Sequence, residues 1–155
     1  MYYKEYVKSS YRHLSTCKNL LADIQDPHKT DADKKHWISE AYYLSGYVVE
    51  CMLSYVLFYK YNGHVETNEF YRGEFLTHSL DSKIHHVCKV ANRPLTGVHF
   101  VCVRPHDKIM NSMFSQWSVN FRYEHPNKIK IDNLCQFIQL IDELRNQILN
   151  QYPLL

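Results

Sequence analysis

The sequence predicts an all-α protein: one domain over residues 1–155, built as an up-and-down bundle of about five helices. Three observations carry this. Apolar residues recur at three- and four-residue spacing through long segments, the period of a helix buried along one face. Thirteen tyrosines stand against four glycines, which favours amphipathic helices over a glycine-punctuated β-sandwich. Only GVHFVCV, within Arg93–Arg104, has strand composition. A lone strand has no partner, so that stretch is expected to be an extended loop.

The first helix, roughly Tyr2–Gln25, aligns Tyr3, Val7, Ser10, Leu14, Cys17, Leu21 and Ile24 on one face. Asp26-Pro27 stops it, because the residue before proline is pushed out of the α region. Asp31 or Asp33 can cap the next helix by accepting from its free N–H groups. That helix, HWISEAYYLSGYVVECMLSYVLFYKYNG, carries one stripe of Trp37, Ala41, Leu44, Val48, Cys51, Tyr55 and Phe58. A second stripe runs through Ile38, Tyr42, Val49, Met52 and Val56. A helix apolar on most sides is the central element of a bundle. Ser45 and Gly46 allow a neighbouring backbone to come close, and Asn62-Gly63 supplies a left-handed cap.

After a polar connector, THSLDSKIHHVCKVAN offers Leu80, Ile84, Val87 and Val90 for a third helix, with Thr77 or Ser79 as cap. PHDKIMNSMFSQW gives a short fourth. Asn127 is expected to cap KIKIDNLCQFIQLIDELRNQILNQY, whose Ile131, Leu134, Ile138, Ile141, Leu144 and Ile148 share one side.

A formal charge of +2 does not announce a nucleic-acid binder, so any basic patch must be local. No apolar leader follows the charged Lys4, Glu5 and Lys8. Glu50 interrupts the most apolar run, Ala41–Tyr59, and argues against a membrane span. A cytoplasmic protein is expected. The five cysteines (17, 51, 88, 102 and 135) are dispersed and form no Cys-x-x-Cys pair, so they read as buried free thiols. His78, His85 and His86 lie near Cys88 without a recognised ligand spacing; no metal and no cofactor is expected.

Three segments together resemble the HEPN domain family. AYYLSGYVVECMLSYVL (41–57) resembles its long second helix with a small-residue step and a Glu-Cys pair. HSLDSKI (78–84) resembles the His-x-Leu start of the next helix, and WSVNFRY (117–123) the Trp-then-Arg-Tyr segment of one HEPN subgroup. The resemblance implies a helical bundle that dimerises and either cleaves RNA or binds nucleotides. It also implies a bacterial or mobile-element defence or toxin-type system.

HEPN ribonucleases carry an Arg-x(4–6)-His pair at the dimer cleft: the histidine moves protons and the arginine holds the phosphate. Arg72 and His78 match that spacing and are the candidate catalytic pair. Arg122 and His125 depart from that spacing, with only two residues between them, and are the alternative pair for the endoribonuclease reading. In RNQILNQY, Arg145, Asn146 and Tyr152 match a second HEPN pattern, with Asn150 where the histidine would stand. An amide cannot exchange protons near neutral pH, so this is a degenerate RNase motif. FSQWSVNFRYEHP (114–126) is then read as a pocket wall, with Arg122 on a phosphate and Trp117, Tyr123 or Phe121 stacked on a base. Core packing of Trp117 and Phe121 is the competing reading. Glu50 is expected to be paired inside the bundle with Arg122 or His78. Three functions follow: nucleotide or RNA binding without cleavage, metal-independent endoribonuclease activity, or a protein-interaction subunit, for example beside a nucleotidyltransferase.

Overall fold

The computed structural model describes residues 3–60, 77–91, 107–122 and 129–154. Five α-helices follow in order: α1 (Tyr3–Ile24), α2 (Asp31–Lys60), α3 (Leu80–Ala91), α4 (Lys108–Gln116) and α5 (Ile131–Gln151). A 3-10 turn, Val119–Arg122, follows α4, and the described residues contain no strand. The expected extended loop at 93–104 and the Asn62-Gly63 cap lie outside the described residues.

The apolar stripes became the core. Val7, Ser10, Leu14, Cys17 and Ile24 of α1 are buried, as are Leu134, Phe137, Ile138, Ile141, Leu144 and Ile148 of α5. On α2, every residue from Met52 to Leu57 is buried, which only the central helix of a bundle requires. Directions follow from the contacts. Cys17 Sγ donates to Ala41 O and His13 packs on Tyr47, so α1 and α2 are antiparallel. Lys18 meets Asp142, and Gln25 meets Cys135, so α1 and α5 are antiparallel too. Tyr42 packs on Phe137 and Tyr55 donates to Tyr152 O at 2.6 Å, so α2 and α5 run parallel. Five strictly alternating helices would have made them antiparallel. The nine-residue α4 is too short to be a full stave.

Helix starts differ from expectation in two places. Thr30 Oγ1, and neither Asp31 nor Asp33, accepts the N–H of Asp33 at 3.2 Å and caps α2. Both aspartates instead occupy the first turn, where their charge complements the helix dipole. For α5 the N-cap position is Lys130, which makes no side-chain capping bond, and Asn127 lies outside the described residues. Ser79 Oγ accepts from Ser82 N at 3.3 Å and opens α3 as expected. Asp107 caps α4 by accepting from Ile109 N at 2.7 Å and Met110 N at 3.3 Å.

Candidate functional site

One charge sits within the apolar body of α2, and the fold assembles a site around it. Glu50 is 14% exposed. Its Oε1 lies 3.0 Å from His78 Nδ1, just ahead of α3, and 3.4 Å from Lys83 Nζ on α3 itself. Lys83 is 2% exposed and also donates to Ser54 Oγ at 2.9 Å. Ser54 lies one turn beyond Glu50 on α2, so one face of α2 presents both partners to the lysine. The expected pairing of Glu50 with His78 is therefore present.

A buried ammonium and a nearly buried carboxylate would each be costly alone; together they compensate. Burial lowers the Lys83 pKa, and the neighbouring Glu50 charge pushes it back up. The Cys51 thiol beside this pair is pushed up to about 11, first by burial and then by Glu50. Glu50 Oε2 is buried and takes no hydrogen bond. The His78 side chain is 55% exposed. With its Nδ1 on the carboxylate, its Nε2 is the ring nitrogen left to act on something outside.

The sequence reading did not foresee Lys83. The signal was present: Leu80, Lys83, Ile84 and Val87 form a helical i, i+3, i+4, i+7 pattern, and Lys83 occupies an apolar position of it. A lysine there, opposite a helix with one buried acid, is half of an ion pair.

The aromatic segment behaves differently from its pocket-wall reading. Trp117 is 4% exposed, and its Nε1 donates to Tyr43 O at 3.0 Å. Tyr43 stacks on the indole and Tyr47 meets it edge-on, with centroids 6.5 and 5.3 Å away. No ring face remains for a base, so Trp117 is a core residue. Phe114 is buried against Phe137, and Phe121 packs on Tyr42 at 5.4 Å between centroids. The small-residue step at Ser45-Gly46 admits this indole, where a neighbouring backbone was expected. The side chain of Arg122, and all of Arg72, Tyr123 and His125, lie outside the described residues.

RNQILNQY is divided between core and surface. Arg145 Nε donates to Ser10 Oγ on α1 at 3.0 Å, and its guanidinium lies over the Tyr11 ring, 5.7 Å from the centroid. Tyr152 is buried, with its carbonyl held by Tyr55. Asn146 and Asn150, four residues apart, are exposed. The structure thus does not gather the four residues into one cleft.

Among the described residues no three His, Cys, Asp or Glu side chains converge as a metal site would need, and no helix is long and apolar enough to cross a membrane. No protein-family model, curated protein or solved structure matches the chain.

Proposed function

We propose that the protein acts on RNA as a HEPN-type helical bundle, with His78 as its acid–base group and Glu50 as the residue that holds it. The observation that carries this reading is the 3.0 Å contact between His78 Nδ1 and Glu50 Oε1 on a histidine whose ring is otherwise half exposed. The carboxylate oxygen accepts, so Nδ1 carries the proton and Nε2 offers a lone pair outward. That nitrogen takes the proton of an RNA 2′-hydroxyl. The oxygen then attacks the adjacent phosphorus, the bond to the 5′-oxygen breaks, and a proton returns to that leaving oxygen. The products are a 2′,3′-cyclic phosphate and a 5′-hydroxyl, and no metal is consumed in the balance. Lys83 lies 3.4 Å from the same carboxylate oxygen and offsets its charge. The resemblance supplies the proposed setting, a homodimer in a defence or toxin-type system.

Binding of RNA or a nucleotide without cleavage is the second reading, favoured by Asn150 standing exposed where the related motif has histidine. Labelled RNA incubated with purified protein and a metal chelator separates the two. Cleavage to cyclic-phosphate ends is expected, falling about 10²–10⁴-fold in His78→Ala. Binding without cleavage, or cleavage unchanged in His78→Ala, overturns the first reading.

A further inference from the structure

α2 is the central helix, yet one line of it is left open. Between Ser39 and Leu57 every residue is buried except Glu40, Tyr43, Leu44, Tyr47, Glu50 and Cys51. Their three- and four-residue spacing puts them on one face, a strip that runs along the helix to the Glu50 carboxylate. The elements beside it follow from the contacts. Cys17 of α1 bonds to Ala41. Glu50 comes nine residues later, about two and a half turns, so its α3 partners lie on the opposite side of α2 from α1. The strip is therefore bordered by α1 on one side and α3 on the other. The electrostatics agree: the Cys51 thiol, on the strip, feels both Lys83 of α3 and Arg12 of α1.

A histidine stands on each border. His78 meets Glu50 from the α3 side at 3.0 Å. His13 of α1 leans over the strip against Tyr47, with 5.8 Å between ring centroids. Tyr47 and Glu50 are three residues apart on α2, so the two side chains that carry these imidazoles are neighbours, with about 5–6 Å between their Cβ atoms. His13 is part-buried, and among the described residues neither of its ring nitrogens makes a hydrogen bond. The contact with Tyr47 accounts for the ring but employs neither nitrogen. Burial, and secondarily the Arg12 charge, lowers the His13 pKa, which makes its protonated form a stronger acid.

The reaction proposed above needs two proton transfers, and His78 accounts for the first. We propose that His13 performs the second, as a general acid that protonates the departing 5′-oxygen from the α1 side of the strip. This rests on the RNA-cleavage reading and names the group that completes it. His78 Nε2 takes the 2′-hydroxyl proton as the 2′-oxygen bonds to phosphorus. As the bond from phosphorus to the 5′-oxygen breaks, protonated His13 gives its proton to that oxygen. His13 is left neutral and His78 as imidazolium, and exchange with solvent resets both. Both groups come from one chain, with the RNA strand lying across the strip between them.

The test compares natural RNA with a strand in which sulfur replaces the scissile 5′-oxygen, both in the presence of a metal chelator. A thiolate departs without first taking a proton, so the sulfur strand does not need a general acid. His13→Ala and His13→Gln are expected to slow cleavage of natural RNA by about 10²–10⁴-fold and to cut the sulfur strand at close to the wild-type rate. His78→Ala lacks the base and is expected to be slow on both. Equal loss on the two substrates in both His13 variants would make His13 a structural residue and overturn the proposal. If the His13 variants cut natural RNA as fast as wild type while His78→Ala does not cut it, the proposal falls and the functional reading stands. If wild type cuts neither strand, the cleavage reading falls and takes the proposal with it.

Discussion

Trp117 lies against Gly46 so closely that a Cβ at position 46 would sit 1.9 Å from the indole Cε2. This contact, from the end of α4 to the middle of α2, fixes the aromatic segment in the core. Glycine inside a helix ordinarily costs about 1 kcal/mol relative to alanine, so Gly46→Ala would stabilise an open helix. Here the opposite is expected. Overpacking against an enclosed, rigid ring costs about 3 kcal/mol and leaves a net loss of about 2 kcal/mol, or roughly 6 °C in Tm. A double-mutant cycle checks the cause: in a Trp117→Ala background, Gly46→Ala should become neutral or favourable. Additive effects would show that the indole is not what excludes a side chain there.

The Glu50–Lys83 pair makes a second, sharper prediction. Glu50→Ala leaves the 2%-exposed Lys83 ammonium without its carboxylate, a loss of about 3–5 kcal/mol. Lys83→Met alone should also destabilise, since it leaves the acid nearly buried. Glu50→Gln combined with Lys83→Met removes both charges at similar volume and should recover most of the stability in urea unfolding. A wild-type Tm for Glu50→Ala would mean that the carboxylate faces solvent.

How legible this was from sequence differs from element to element. The α1 and α5 faces could be read because a single buried stripe imposes its period on the residues. α2 was readable as central because it is apolar nearly all round. The parallel run of α2 and α5 was not readable, because the periodicity within a helix marks its buried face and says nothing of the direction of its neighbour. Trp117 was ambiguous in principle: an aromatic next to Arg122 and Tyr123 looks the same in sequence whether its ring faces a ligand or Gly46. The decision lay in a residue seventy-one positions earlier whose missing side chain makes the space. Glu50 could be singled out locally as a lone charge in an apolar run. Lys83 could be found only by asking which apolar-face position of a neighbouring helix carried the opposite charge.

The buried thiols predict an alkaline limit to stability. Burial, and secondarily Glu40, pushes the Cys17 thiol up to about 12, and Cys51 stands at about 11. The unfolded thiols ionise near 9.0, so between these values the folded state holds protons that the unfolded chain has released. The thiol contribution is therefore present below about pH 9 and is lost as pH rises towards 11 and 12, by about 1.4 kcal/mol per pH unit for each thiol. Lys83 acts in the opposite sense: its lowered pKa makes stability rise as pH climbs towards the unfolded lysine value of 10.5. Two thiols outweigh one amine, so unfolding free energy should fall above pH 9, and Cys17→Ala should flatten that slope whatever it does to the baseline. A slope unchanged in Cys17→Ala would show that other groups control the alkaline limit.

Glu50→Gln tests the proposed division of labour between the site residues. The amide preserves size and can still meet His78 Nδ1, now 3.0 Å from a carboxylate oxygen, but it no longer stabilises a protonated ring electrostatically. If Glu50 holds and charges the imidazole, metal-free RNA cleavage should fall by about 10²-fold or more, while affinity for an uncleavable strand stays near wild type. Because the same substitution leaves Lys83 without its counter-charge, folding is checked separately. Glu50→Gln with Lys83→Met should regain stability and yet remain slow in cleavage. Stability and rate recovering together would show that Glu50 acts only through the fold. Rate staying low after stability returns separates the acid–base role from the structural one.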